Sequence, residues 1–380
     1  MLDSITVEGF KSIASIQDLE LGPINVLIGP NGSGKSNFIG AFRFLHAIRS
    51  GRLREYVIRA GGAERILHFG TKATSELFAK VSFDNDKSQY EIRLLATETD
   101  ALHPYSEIVY FWDELEDTRR SEDFLLGRRG EAGISENHPR GATQYVQNQL
   151  DSWRLHHFHD TSSGSPLKKT SVVNDNRFLR ADGSNLAAFL HLLRTKHETE
   201  YNLVRRTLQL VAPFFDDFIL QPMVENEELI RIEWRHRSHG DYFDVASFSD
   251  GTLRFVALAT LLLQPPSFRP TVILIDEPEL GLHPYAITLL AALVKQASVN
   301  TQVILATQSP ALLDHFDPDE VLVADRIRGR TEFRRLDARN LEDWLEDYTL
   351  GQLWEKNHLG GRPAGEIIGN DRDDQAALVR

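Results

Sequence analysis

The chain has 380 residues, 41% of them hydrophobic and 26% charged, which is ample for a sizeable core with a solvated surface. Its formal net charge of −13 argues against general nucleic-acid binding, because duplex affinity comes largely from Lys and Arg neutralising phosphates. It contains no cysteine, so disulfides, thiolate metal sites and cysteine nucleophiles are excluded.

The amino-terminal MLDSITVEGF lacks the basic-then-apolar order of a secretory signal. SITVEGF, IQDLEL and PINVLIG read as short strands separated by turn residues. The third runs into Gly29-Pro30-Asn31-Gly32-Ser33-Gly34-Lys35-Ser36, a complete G-x-x-x-x-G-K-[ST] spacing. A helix is expected from about Gly34 to Arg49, with Phe38, Phe42, Leu45 and Ile48 on one buried face. This strand, loop and helix suit a nucleotide. The glycines let backbone N–H groups wrap a phosphate, Lys35 reaches the β and γ oxygens, and Ser36 offers a hydroxyl to Mg²⁺. Asn31, Gly32, Ser33, Gly34, Lys35, Ser36 and Asn37 are the expected contacts, and ATP and Mg²⁺ the expected cofactors.

Strand-like alternation resumes in ELFAKVSFD and YEIRLLAT. From about 97 to 182 the sequence is acidic and irregular, and a helical stretch, NLAAFLHLLRTKHETEYNLVRRTLQLVAPFF, follows. DFILQPMV and ELIRIEWRHR read as strands joined by the turn-like ENE. FSDGTLRF then opens a helix, TVILIDE is a buried strand, HPYAITLLAALVKQA a helix, and TQVILAT and EVLVAD are further strands. The last 20 residues have little apolar content and are expected to fray. The expected organisation is a first core half (1–96), an insertion (97–239), a second core half (240–345) and a partly disordered C-terminal segment (346–380). The fold class is α/β, a P-loop ATPase head with a β-rich N-terminal lobe and a large helical and loop insertion.

Asp276, at the carboxyl end of TVILIDE, is placed to hold Mg²⁺ through water, and Glu277 to orient an attacking water as base. Ser249-Asp250-Gly251-Thr252 forms a second helix start suited to an anion, although an ordinary helix cap would look the same.

The order of these elements resembles that of the ABC-class ATPases. EGFKS, GPNGSGKSN, SDGTLR, IDEPELGLHP and ATQSP together look like the RecF/SMC-like branch, which includes the ATPase heads of OLD-type and related bacterial anti-phage systems. The resemblance implies an ABC-type head whose Ser249 and Gly251 bind the γ-phosphate held by a second copy. ATP would then join two chains into a homodimer or a higher oligomer, with Gly281-Leu282-His283 as a dimer-facing loop. Relatives have a histidine in ATHSP where this chain has Gln308. That histidine contacts the γ-phosphate and helps hold the water; glutamine can hydrogen-bond the same atoms but carries no positive charge, which implies slow hydrolysis. For the Mg²⁺-binding glutamine of this class, Gln89 and Gln144 are the available candidates. The function implied is a sensor or switch acting on a separately encoded effector in anti-phage defence. A recombination or repair ATPase, a scaffold that holds ATP without turnover, and a transporter nucleotide-binding subunit are the alternatives.

In WRLHHFHD, His156, His157 and His159 stand beside Asp160 without the spacing of a metal cage, and the segment reads as one packed near the nucleotide. Arg43, Arg49, Arg52, Arg54 and Arg59 are the best candidates for contact with nucleic-acid phosphates, although solvated helix ends commonly look the same; RTEFRR near residue 330 adds little. Arg177 and Arg180 read as a solvated turn. The longest apolar runs are about half a membrane span, so no membrane association and a cytoplasmic location are expected.

Overall fold

A computed structural model describes residues 1–113, 118–123, 130–137 and 141–361. Of the last 20 residues, 361–380, expected to fray, all but Gly361 lie outside them. The chain opens with an antiparallel hairpin, β1 (Leu2–Phe10) and β2 (Ile13–Glu20), then crosses to β3 (Ile24–Ile28), which is buried throughout. After the glycine-rich loop come α1 (Lys35–Arg49), α2 (Leu53–Ala60) and the short α3 (Ala63–Ile66). The chain then returns to the first sheet as β4 (Glu76–Phe83), β5 (Ser88–Ala96), β6 (Leu102–Asp113) and β7 (Thr118–Asp123), giving the antiparallel order β2-β1-β4-β5-β6-β7. Leu77, Ala79, Val81 and Phe83 alternate inward along β4 with the period of two that a half-buried strand requires.

The boundary expected between residues 96 and 97 falls inside this sheet, since β5 and β6 pair from Ser88↔Phe111 to Ala96↔Leu102. The acidic and irregular composition conceals a strand in which Leu102 and Val109 are buried and Glu107 is buried with them, accepting from Tyr90 Oη at 2.8 Å and from the Gly133 and Ile134 N–H groups. Further along, α4 (Gly141–Ser152) lies on α1, and the Leu150 carbonyl is 3.1 Å from His46 Nδ1. The three-residue strand β8 (Arg154–His156) then joins the second sheet.

The segment that follows contains β9 (Ser171–Val172), α5 (Leu186–Lys196), α6 (Glu198–Val211), β10 (Phe215–Ile219), β11 (Pro222–Met223), β12 (Asn226–Ile230), β13 (Glu233–His236) and β14 (Tyr242–Asp244). Its strands form two small sheets, β10-β13-β14 and β11-β12-β9. Trp234 stacks between Phe243 and Phe248 at centroid distances of 4.9 and 4.7 Å, joining the first of these to the start of the next helix.

The remainder completes the core: α7 (Asp250–Leu263), β15 (Val272–Asp276), α8 (Pro284–Ser298), β16 (Gln302–Ala306), α9 (Pro310–Leu313), β17 (Val321–Ile327), β18 (Arg330–Arg335), α10 (Ala338–Leu345) and α11 (Leu350–Glu355). The sheet order is β18-β17-β3-β16-β15-β8, with only β18 antiparallel to its neighbour. Ile273, Ile275, Val303 and Leu305 pack toward α5–α8, whereas Leu274, Ile304 and Ala306 pack toward α1 and the antiparallel sheet. Because both faces are covered, these strands read as unbroken apolar runs. Shortening one such leucine to alanine costs about 2–5 kcal/mol. From adjacent strands, β3 leads to α1 on one face and β16 to α9 on the other. The carboxyl end of β3 therefore lies at the switch point where open α/β sheets take ligands. Among the described residues no helix is long and apolar enough to cross a membrane.

Candidate functional site

The loop after β3 is held open from behind. Gly34 has φ 108°, and a Cβ there would collide with Thr331 and Ser12. Thr331 Oγ1, on β18, donates to the Ser33 carbonyl at 2.8 Å and accepts from Ser12 Oγ at 2.7 Å. Asn37 Nδ2 donates to the same Ser12 Oγ at 2.7 Å, so its side chain ties α1 to the first hairpin. Nothing caps α1: Gly34 makes no side-chain cap bond and the first turn carries no acid. Its free N–H groups and positive end are thus left for an external anion. Ser33 Oγ is buried within the loop without a partner, while Asn31 and Gly32 are exposed. Lys35 is 5% exposed and folds back to donate to the carbonyls of Gly29 (2.6 Å) and Pro30 (3.1 Å). Burial holds its pKa below the usual lysine value, against the pull of Glu277, Asp276 and Glu279.

The fold brings the acids to this loop from far along the chain. Ser36 Oγ lies 3.4 Å from Asp276 Oδ2. Glu277 adopts φ 43°, a left-handed conformation uncommon for a residue with a side chain, and its N–H donates to the Ala306 carbonyl at 2.7 Å. Gln308 Nε2 donates to Glu277 Oε1 at 2.6 Å. Glu279 accepts from Thr307 Oγ1 (2.6 Å) and Gln308 N (3.2 Å), leaving its other oxygen buried and unpartnered. Burial raises the pKa of both Asp276 and Glu279, and the Glu277 charge adds to each rise. Such a cluster of desolvated carboxylates facing a hydroxyl and an open helix start fits a divalent cation with a bound phosphate chain.

Ser249 and Gly251 stand on a separate exposed corner. Ser249 Oγ accepts from Thr252 N at 3.2 Å, so within one chain it is the cap of α7. Gly251 packs against the Gly281 carbonyl so closely that a Cβ would collide with it. Gly281 has φ 73°, and His283, which is exposed, caps α8 by accepting from Tyr285 N at 3.2 Å. Leu280 and Tyr285 beside them are 41% and 49% exposed, an apolar lining for the same corner.

Residues 24–314 match the family described as "AAA domain, putative AbiEii toxin, Type IV TA system". The chain belongs to this AAA family. Curated relatives match shorter stretches. One is urease accessory protein 2 of Cryptococcus neoformans, 26% identical over 204 residues, or 51% of this chain. Another is the chromosome partition protein Smc of Desulfitobacterium hafniense, 46% identical over 70 residues, or 17% of this chain. The matched stretches make up 16% and 6% of those proteins, so the chain corresponds to a small part of each. Among solved structures, an Smc head bound to the C-winged helix domain of ScpA superposes with a TM-score of 0.58, covering 89% of this chain and 99% of that one at 16% identity. The fold is therefore that of an SMC-type, ABC-class head.

Within this AAA family member several residues near the site escape sequence reading. Gln89 and Gln144 do not approach Asp276: Gln89 sits in the antiparallel sheet, bonded to Asp86 and Arg119, and Gln144 is an exposed residue of α4. The segment that follows edge strand β8 passes within electrostatic range of Asp276 instead, through His157 and His159. Burial, with Arg43 and His159 nearby, holds the His157 pKa below the ordinary histidine value. Arg254, 7% exposed on α7, fixes this segment by donating to the carbonyls of Phe158 (2.9 Å) and His159 (3.0 Å). Among the described residues no group of three or more His, Asp or Glu side chains is placed to enclose a metal, so the histidine run makes no cage by itself. The arginine strip divides. Arg49 is committed to Asp151 (2.8 Å) and to the carbonyl of Ile134, and Arg59 pairs with Glu55 (2.5 Å) one helical turn away. Thr331 lies in the stretch RTEFRR, which carried no expectation, yet it anchors the loop.

Proposed function

We propose that this chain binds ATP with Mg²⁺ at the loop between β3 and α1, hydrolyses it slowly, and joins a second copy through the bound nucleotide. The observation that carries this reading is the meeting of Ser36 with Asp276, and of Glu277 with Gln308, at the carboxyl ends of adjacent strands. In this reading Asn31 to Asn37 supply backbone donors, and Lys35 leaves its carbonyl partners to reach the phosphate oxygens. Ser36 and Asp276 hold the cation, which when bound neutralises charge on those oxygens. Glu277 accepts the proton of the attacking water, and Gln308 holds the Glu277 carboxylate in place. The exposed Ser249, Gly251 and His283 corner faces the nucleotide of the partner copy.

The dimer then serves as a switch for a separately encoded effector in bacterial anti-phage defence. The toxin–antitoxin wording of the family description supports that setting, and the partner domain bound to the Smc head of similar fold supports an output through another protein. Gln308 in place of histidine favours slow turnover and keeps an ATP-holding scaffold as the second reading. Mg²⁺-dependent phosphate release from ATP decides between them: the wild type releases phosphate and Glu277→Gln does not. Release equal in both, or absent in the wild type, contradicts hydrolysis.

A further inference from the structure

A cavity of about 190 Å³ opens beside edge strand β8, at the amino-terminal ends of β8 and β15 and away from the glycine-rich loop. Arg154, Arg177 and Arg269 line it and no acid does, in a chain where acids outnumber Lys and Arg by 55 to 42. Their guanidinium groups are largely uncommitted. Arg269 Nε donates to the Gln264 carbonyl at 2.8 Å, Arg154 Nη1 donates to the carbonyls of Asp151 and Trp153, and Arg177 has no ion-pair partner among the described residues. The nearest carboxylate acting on Arg154, that of Asp151, is already paired with Arg49 at 2.8 Å. Each guanidinium offers up to five donors in a planar fork, so most of the donors around this cavity remain open to an oxyanion.

The wall and rim supply a second, independent feature. His156 borders the cavity at 1% exposure, and its Nδ1 has no hydrogen-bond partner. That atom is shielded from water, so His156 serves as a buried wall of the cavity and not as a donor or acceptor for its occupant. At the rim Phe178 is 44% exposed, with the Arg154 guanidinium 5.0 Å from its ring centre, forming a flat cationic and aromatic surface on which a base can stack.

We propose that this cavity is a second phosphate-binding site, separate from the glycine-rich loop, taking the phosphate monoester of a nucleotide, either free or at the 5′ end of a nucleic-acid strand. Three guanidinium groups around a small cavity suit a tetrahedral dianion better than a planar carboxylate, and the exposed ring beside them suits a nucleobase. The overall charge of −13 disfavours a long polyanion laid across the surface, and so favours recognition of a terminus.

The test uses the full chain carrying Lys35→Ala, so that the glycine-rich loop does not contribute. A short 3′-labelled single strand of DNA, with and without a 5′-phosphate, is titrated by fluorescence anisotropy, and thymidine 5′-monophosphate is added as competitor. The phosphorylated strand is expected to bind about tenfold more tightly than the hydroxyl strand. Arg177→Ala with Arg269→Ala should abolish that preference while leaving the thermal midpoint within a few degrees. Competition by the mononucleotide at the strand's own affinity assigns the site to free nucleotides; competition only at far higher concentration assigns it to strand ends. Equal binding of both strands, no binding of any probe at 1 mM (on the order of the weakest useful affinity), or a preference that survives the double substitution overturns the proposal.

Discussion

Removing the Gln308 amide tests the catalytic assignment most sharply. Its Nε2 donates to Glu277 Oε1 at 2.6 Å, a hydrogen bond to a charged acceptor of the kind that contributes about 1.5–3 kcal/mol. The Glu277 backbone is held independently, by its N–H bond to Ala306 at φ 43°, so Gln308→Ala frees the carboxylate without displacing its main chain. If that energy is realised in the transition state, at about 1.4 kcal/mol per factor of ten, hydrolysis slows by about 10- to 150-fold. The assay is single-turnover phosphate release with protein in excess over ATP, alongside equilibrium nucleotide binding. Affinity should stay within about threefold of wild type, since Gln308 does not touch the loop that holds the phosphates. Gln308→His should be at least as fast as wild type. An unchanged rate in Gln308→Ala, a loss confined to affinity, or a slower histidine variant refutes the reasoning.

Gly34→Ala should destabilise the protein by at least about 2 kcal/mol in chemical denaturation and abolish ATP binding, because φ 108° and the collision with Thr331 act together. Gly32→Ala, at φ 79° with its nearest neighbour 4.0 Å away, should cost only about 1 kcal/mol, so equal effects would contradict the assignment. Arg254→Met should lower the unfolding free energy by about 1–3 kcal/mol through the two carbonyls it leaves, and should also slow hydrolysis by loosening the His157–His159 segment; a change in stability alone would leave that segment without a role. Glu279 gives a pH signature. Its pKa is raised in the folded state by burial, so its charge penalises the fold at neutral pH and the penalty fades as pH falls toward the ordinary glutamate value of 4.5. Wild type should therefore gain stability relative to Glu279→Gln on acidification from pH 7, and a constant difference in denaturation midpoint would contradict it.

The parts of the site that were legible are those written as local pattern. The glycine-rich loop and the Asp276-Glu277 strand end each combine an unbroken buried strand with a fixed polar spacing, and the fold joins them as Ser36 and Asp276. Strand β6 was hidden because His103, Pro104, Ser106 and Glu107 interrupt its apolar pattern, and Glu107 is buried only because Tyr90 and two loop N–H groups from distant parts of the chain pair with it, so its composition mimicked an insertion. Strand β8 was hidden for a different reason: three residues, two of them Arg and His, carry no periodicity, and only the two-residue spacing of buried His156 and Phe158 hints at it. Thr331 could not be found locally, since its importance rests on a hydrogen bond to Ser33 across nearly the whole chain. Ser249 shows the limit of pattern in the other direction. The same hydroxyl that caps α7 is the one expected to face a second copy, and a single chain displays only the first role.

The measurement that bears most directly on nucleotide-clasped dimerisation is the mass of Glu277→Gln in solution, by light scattering, with ATP and Mg²⁺ and again without them. A mass of twice 43.1 kDa with nucleotide, reverting to one chain without it and prevented by adding Ser249→Arg, is the expected result. A monomer under all conditions, or a dimer indifferent to both nucleotide and Ser249→Arg, contradicts it.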